Sequence, residues 1–489
     1  MTRLPAGSRA DAAVGAFRTC PRTAPEKTMP QGPTMIAWKN EPGRTARCPA
    51  CGARDGQTHS LDVTSPLTGD TLSLYACAGC GSRFYDPFVP FESDRFYTDR
   101  HIQYYVEAGA GIGSILQPLV SLRLAPGSRR FLDVGCGFGF SLDFATHVLC
   151  WSAVGVEPSR MGRAGKAALG VAISNDYLEN IPALQAARFD VISTSEVLEH
   201  VGDPAAFVDM LASRMTPGGV LVLGTPNAEL VAPETDAATL MGILSPHFHT
   251  VLFSERALRR LLDRFGFAHV HVAKTGHQLM AHASHRPFRL EPLPRRDPLV
   301  ILKYLMDAAG RLAGRPAVMI GFLYRALTGA THLGLYPMGA RIAPSLRRAV
   351  AAAYGLDLDD HAAVAARLDA VTDFEDLGGR LPYCLFGIYY GLGMAALHVE
   401  NDPARAIGCF DMGFAACRRF LDISLENFAE AAHLLWIMRL KGGMARIAAG
   451  DAAGARRAFG EIVAAAHDPS PYRGIAPPPH VLEQARDMA

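Results

Sequence analysis

The chain lacks an excess of charge of either sign. Its 48 lysines and arginines stand against 47 aspartates and glutamates over 489 residues, for a formal net charge of +1. A general nucleic-acid binder would carry a strongly basic face, so nucleic acid is not expected as a partner. The arginines between residues 82 and 130 are themselves offset by acids such as Asp86 and Glu107. Long uninterrupted apolar runs are also missing. The most apolar stretch, 317–336, holds Arg325, His332 and several glycines, which favours a buried helix over a membrane span. The opening residues have no apolar core of the secretory type. Ten cysteines are present, but they are not spread like a disulfide framework. Together these features lead to an expected cytoplasmic location.

What is present is ample apolar material: 49% hydrophobic residues and a mean hydropathy of +0.11, enough for about three domains at this length. Residues 1–44, rich in Pro, Thr, Arg and Gly, are expected to be a disordered tail, with Met29 or Met35 as alternative starts. In 45–88, Cys48-Pro49-Ala50-Cys51-Gly52 is answered by Cys77-Ala78-Gly79-Cys80-Gly81. Each pair can present two thiolates from one knuckle, and two knuckles make a tetrahedral four-thiolate site suited to structural Zn²⁺. A hairpin of Leu61–Val63 and Leu72–Tyr75 would fill the intervening residues. A redox dithiol is the alternative, but it wants a thioredoxin-like strand and helix that is not evident.

Residues 89–128 read as a helical cap or linker with a tyrosine-rich start (Phe96, Tyr97, Tyr104, Tyr105) and a helix from about Ser114 to Leu124. Between 129 and 275 strand and helix signals alternate. The strands fall at Arg130–Val134, Ala153–Glu157, Val171–Ser174, Val191–Thr194, Val220–Gly224 and Val270–Ala273. That alternation predicts an α/β domain with a parallel, doubly wound sheet, whose site lies at the strand C-terminal ends. Residues 276–300 read as a linker. Residues 301–489 read as an all-α domain in which Gly391, Ala395, Asp402-Pro403, Ala406 and Phe410 are echoed by Gly443, Ala448, Gly450-Asp451, Ala455 and Phe459. Small residues at close helix contacts, with an Asp at the turn, resemble tetratricopeptide repeats. Such a region suits a protein partner.

The chemistry centres on Phe131-Leu132-Asp133-Val134-Gly135-Cys136-Gly137-Phe138-Gly139, a buried strand breaking into a glycine turn with Asp133 on its rim. The spacing departs from the dinucleotide fingerprint, since Phe140 fills the last glycine position. Glu157 ends the second strand, where a carboxylate can accept both ribose hydroxyls of a nucleoside. Asp176 and Tyr177 follow the third strand, and the run Ser193-Thr194-Ser195-Glu196-Val197-Leu198-Glu199-His200 leaves the fourth. In this order and spacing residues 129–275 resemble Rossmann-like S-adenosylmethionine-dependent methyltransferases, typified by the ubiquinone-biosynthesis O-methyltransferases. With the cysteine knuckles, residues 45–275 resemble bacterial methyltransferases with an N-terminal zinc ribbon, some of which act on nucleotide-linked sugars.

The resemblance implies S-adenosylmethionine as cofactor, held by Asp133, Gly135, Cys136, Gly137, Gly139, Glu157, Asp176, Tyr177 and Ser195. The sulfonium carries its own leaving group, so transfer needs mainly positioning, plus a base if the acceptor is a hydroxyl. His200 and His249 are the base candidates. In the sugar C-methyltransferases the residue matching His249 follows a glutamate; Phe248 stands there instead, which favours oxygen as the acceptor atom. Tyr105 resembles a substrate-facing tyrosine of those enzymes. The expected reaction is methyl transfer to a hydroxyl of a small-molecule acceptor, a sugar or glycan precursor. An RNA methyltransferase, or a partner-binding helical scaffold with an accessory methyltransferase unit, stands as the alternative.

Overall fold

The computed structural model describes residues 36–43, 45–65, 68–88, 98–124, 127, 129–291, 297–425 and 427–488. The tail expected over 1–44 lies outside these residues except at its end, as do Phe96 and Tyr97 and the centre of the 276–300 linker.

The strands in chain order are β1 (Ile36–Pro42), β2 (Gln57–Thr64), β3 (Thr71–Cys77), β4 (Arg83–Tyr85), β5 (Leu122–Arg123), β6 (Arg130–Val134), β7 (Ser152–Val156), β8 (Ile173–Ser174), β9 (Phe189–Ser195), β10 (Met215–Pro226), β11 (Val251–Leu252), β12 (His269–Thr275), β13 (Gln278–Ser284) and β14 (Arg289–Leu290). The expected hairpin is β2 and β3, paired antiparallel. It sits in a five-stranded sheet of order β1-β2-β3-β4-β11. Two features of this sheet differ from expectation. The last residues of the expected tail form a strand, because β1 pairs with β2 from Ile36 to Pro42. The ribbon is also not a separate unit, because β11, 165 residues or more downstream in the chain, supplies its last strand through Val251 opposite Phe84.

The main sheet has seven strands in the order β12-β13-β10-β9-β6-β7-β8. From β10 to β8 every pairing is parallel. At the other edge β13 runs antiparallel to both β10 and β12. The expected all-parallel sheet is therefore mixed, and it extends past residue 275 to Ser284. The reason is local: β12 and β13 are joined by a tight turn at Gly276, which can only connect antiparallel neighbours. Alternation along β6 splits the core in two. Leu132 and Val134 join Ile192, Leu221 and Leu223 on one face. Phe131 joins Val191, Val220, Val222 and Leu142 on the other.

The helix Glu255–Arg264 covers the first face. Ser254 caps it by accepting from the Ala257 N–H, and Leu258, Leu261 and Leu262 recur at the spacing of one helical stripe. On the opposite side, Arg160–Leu169 is capped by Ser159 and closed by Gly170 in the left-handed region. Gly165 lets this helix lie against the glycine turn: a Cβ there would stand 2.0 Å from the Phe138 carbonyl oxygen.

Beyond residue 297 the described chain consists of helices and their connections. Leu385–Ala395, Pro403–Ile423, Ala429–Ala448, Ala452–His467 and Pro479–Met488 each pack on the next. The two Asp turns work as the sequence pattern implies: Asp402 accepts from the Arg405 N–H and Asp451 from the Gly454 N–H. Phe459 packs directly on Gly443, whereas Phe410 packs on Gly393 and Gly391 takes Leu327 instead. The stretch 317–336 contains the helix Pro316–His332, with nine buried residues from Ile320 to Thr331 that serve the core. No helix among the described residues is long and apolar enough to cross a membrane.

Because the atom facing Gly165 is backbone and cannot rotate away, Gly165→Ala is expected to cost about 1–3 kcal/mol. The urea midpoint of the purified variant against the parent chain checks this, and an unchanged midpoint would contradict the close approach.

Candidate functional site

The C-terminal ends of β6, β7, β9 and β10 bring most of the expected residues to one edge of the sheet. Gly135, Gly137 and Gly139 hold φ of 75°, 53° and 87°, a region costly for any residue with a Cβ. The turn is also sterically full at its start: a Cβ on Gly135 would stand 2.3 Å from a Val197 methyl. Gly137 donates its N–H to the Glu157 carboxylate at 3.0 Å, and Ser159 N–H donates to the other oxygen at 3.0 Å. Glu157 is thus held across the mouth of the turn. Asn175 steadies the same corner by donating to the Glu157 carbonyl at 3.1 Å.

Asp133 does not stand on the rim. It is buried beneath the turn, 5% exposed, and accepts from the Ser141 hydroxyl. Burial pushes its carboxyl up to about 7. Glu157 adds to that push, and the Ser141 and Ser193 hydroxyls oppose it. Cys136 points its sulfur into the sheet, 2.6 Å from where a Cβ on Gly155 would be, so only its backbone lines the turn. Ser195 is half-buried at the end of β9. Asp176 and Tyr177 lie on an exposed loop after β8, with the Asp176 carboxylate accepting from the Tyr177 N–H at 2.7 Å and from Asn180 at 2.9 Å. Those bonds hold Asp176 below its ordinary range. Tyr105 comes from outside the sheet: its hydroxyl lies 3.3 Å from the Cβ position of Gly137, and its ring stacks on Phe140 at 6.1 Å.

Both candidate bases meet after β9, with ring centroids 4.9 Å apart. His200 is exposed, and its Nδ1 faces the Phe248 carbonyl at 2.8 Å; His249 is buried, and its Nδ1 faces the Ile243 carbonyl at 2.7 Å. A carbonyl only accepts, so each Nδ1 carries a hydrogen, and Nε2 is the nitrogen left to bind a ligand in a neutral ring. Burial, then the neighbouring His200, lowers His249 to about 3, against the pull of the Ile243 carbonyl.

Two acids complete the cluster; Glu199 stood in the sequence only as part of a Glu-His pair after the fourth strand, and neither acid was among the expected site residues. Glu199 is fully buried. One of its oxygens accepts from the Thr225 hydroxyl at 2.9 Å, and the other has no hydrogen-bond partner. Burial raises it to about 7. Glu196, at φ 56°, accepts from Gln278 at 2.8 Å and is raised to about 8 by loss of water around its carboxyl and by Glu199. The run Glu-x-x-Glu-His leaving a strand was the available signal. Glu199, His200 and His249 offer donor atoms within 4.8 Å of one another. The Glu199 oxygen without a hydrogen bond lies 3.8 Å from His200 Nε2, and with the two rings, each oriented by a carbonyl, it makes a group of side chains able to hold a divalent cation.

The four cysteines form a second candidate metal centre. Cys48 and Cys80 sulfurs lie 3.7 Å apart, and Cys51 and Cys77 sulfurs 3.6 Å. A tetrahedral ion at ~2.3 Å from each sulfur needs edges of ~3.8 Å. Gly52 N–H closes one knuckle onto the Cys48 carbonyl at 2.8 Å, and Gly81 N–H closes the other onto Cys77 at 2.7 Å. The centre braces the main domain: Ser254 and Arg256 both donate to the Cys80 carbonyl.

Residues 99–272 match a family model described as a methyltransferase domain. A ubiquinone biosynthesis O-methyltransferase of Xanthomonas axonopodis pv. citri is 39% identical over 113 residues, 22% of this chain and 47% of that protein. One from Xylella fastidiosa strain M23 is 39% identical over 118 residues, 23% and 48% of the two chains. The chain thus spans about half the length of the curated relatives it matches. Among solved structures, an S-adenosylmethionine-dependent methyltransferase of Thermotoga maritima, described as a possible histamine N-methyltransferase, is 20% identical. It covers 40% of this chain and 98% of its own, at a TM-score of 0.31; the fold assignment here stands on strand order, not on that likeness.

The protonated Asp133 has a thermodynamic consequence. The folded chain keeps a proton that the unfolded chain sheds near pH 4, so this group's contribution to stability falls as pH rises from about 4 to about 7. Asp133→Asn is expected to flatten that part of the curve of unfolding midpoint against pH. A slope identical to the parent's would contradict a buried, protonated Asp133.

Proposed function

We propose that the protein transfers a methyl group from S-adenosylmethionine to a hydroxyl of a small-molecule acceptor. The observation that carries this reading is the Glu157 carboxylate held by the Gly137 N–H across a turn of three left-handed glycines. A carboxylate so placed can exchange its backbone contact for the two ribose hydroxyls of the cofactor. The glycines add no side chain of their own to the turn, and the Tyr105 hydroxyl stands over Gly137 as its outer limit. The exposed Asp176–Tyr177 loop beside Glu157 is the wall for the adenine.

Oxygen as the accepting atom is supported by Phe248 in place of a glutamate and by the relatives' name, O-methyltransferase. That name mentions ubiquinone biosynthesis and no sugar, so the sugar or glycan acceptor rests on the ribbon resemblance alone. At the acceptor end, a base as weak as His249 draws a proton poorly by itself. The two Nε2 atoms with the Glu199 oxygen suit ligation better: Glu199, His200 and His249 would hold a divalent cation, and such an ion lowers the pKa of a hydroxyl bound to it. The residues' own contribution is to orient the acceptor oxygen and keep water from the sulfonium. In the ribbon, Cys48, Cys51, Cys77 and Cys80 would hold structural Zn²⁺, since four thiolates leave no open position for catalysis.

Titration calorimetry with S-adenosylmethionine tests the central reading. The parent chain is expected to bind, and Glu157→Ala to weaken binding at least tenfold, about 1.4 kcal/mol or more. Equal affinity in both would overturn it. A second measurement addresses the ribbon: the purified chain is expected to carry one zinc per molecule, and Cys48→Ser to lose it and to melt lower by several degrees. A metal content unchanged by the substitution would exclude the four-thiolate site.

A further inference from the structure

The helices beyond residue 297 do not merely follow the methyltransferase domain. They grip the segment that carries Tyr105. That segment is the helix Asp99–Tyr104, which runs into a π-helical turn, Tyr105–Gly109. A π turn leaves carbonyls without the usual intrahelical partners, and here one guanidinium collects them. Arg325 donates to the carbonyls of Tyr105 at 3.1 Å, Glu107 at 3.4 Å and Ala110 at 3.0 Å, and to that of Val106 as well. Its own helix comes close enough to allow this because residue 321 is glycine; a Cβ there would stand 2.1 Å from the Val106 carbonyl oxygen.

The opposite side of the turn is held just as firmly. Glu107, though charged in type, has no exposure, and its carboxyl accepts from the Tyr354 hydroxyl and from the Tyr383 N–H at 2.8 Å. Tyr104 donates to the Asn427 carbonyl and sets its ring edge-on to Tyr383 and Phe428. What the turn then presents to the methyltransferase domain is Tyr105, stacked on Phe140 with its hydroxyl over Gly137. Phe140 itself is packed from behind by Phe322 of the Arg325 helix at 5.5 Å.

We propose that the helical region is a structural part of the cofactor site, and that Arg325 is a positioning residue which holds Tyr105 as the inner wall over the glycine turn. Arg325 touches no cofactor atom; it acts by fixing the backbone of 105–110. This rests on the reading of the Gly137–Glu157 cradle as the S-adenosylmethionine site.

The test is a double-mutant cycle on the full chain. Dissociation constants for S-adenosylmethionine are measured for the parent, Arg325→Met, Tyr105→Ala and the double variant, with Arg325→Lys as the conservative change. The expected result is a rise of tenfold or more in each single variant, no further rise in the double, and partial recovery in Arg325→Lys. Circular dichroism confirms that each variant is folded, and Tyr354→Phe, which loosens the same turn through Glu107, serves if Arg325→Met is not. Additive losses would show that Arg325 acts independently of Tyr105 and overturn the proposal, as would affinities within twofold of the parent. If the parent itself binds no cofactor, the cradle reading falls and this proposal with it. If the parent binds and Glu157→Ala does not while Arg325→Met is unaffected, the proposal fails alone.

Discussion

The turn at 135–139 can close only because every second residue in it is glycine. At its start the space a side chain would need is taken by Val197; at its far end the Phe138 carbonyl lies against Gly165 of the next helix. Protein interiors are packed too densely for such contacts to yield. The consequence reaches both ends of the cleft. With the turn in place, the Gly137 N–H meets Glu157, and the buried Asp133 sits under the bend as its support. With Val197 wedged against Gly135, the backbone after β9 is directed so that Glu199 and His200 face the loop carrying His249.

That loop is the junction of the molecule's parts. Residues 245–253 leave a helix through Ser245 and His247, both at positive φ. They carry His249, supply the Phe248 carbonyl that orients His200, and run into β11, the last strand of the ribbon sheet. His247 also meets Thr68 of the ribbon at 3.0 Å. A metal held by the four cysteines would therefore steady the wall of the site as well as the ribbon.

The acids of the cleft follow one rule. Asp133 and Glu199 lie where water is excluded, so each favours its neutral form until something positive arrives. In the proposed reading a sulfonium, or a cation at Glu199 and the histidines, would supply that charge. The site is thus more complete with its ligands than without them.

Strand positions, the glycine turn, the two cysteine knuckles and the helical nature of the C-terminal region were all legible in the residues themselves, because each depends on local periodicity, backbone freedom or short spacing. Glu157 was legible for the same reason, as an acid at a strand end. What depended on segments far apart in the chain was not. The antiparallel β13, the fifth strand lent to the ribbon by Val251–Leu252, and the burial of Asp133 and Glu107 arise from packing that no window of sequence contains. The same holds for the meeting of Arg325 with the carbonyls of 105–110: the arginine reads as an interruption in an apolar helix, and only the fold shows that it closes a turn more than two hundred residues earlier.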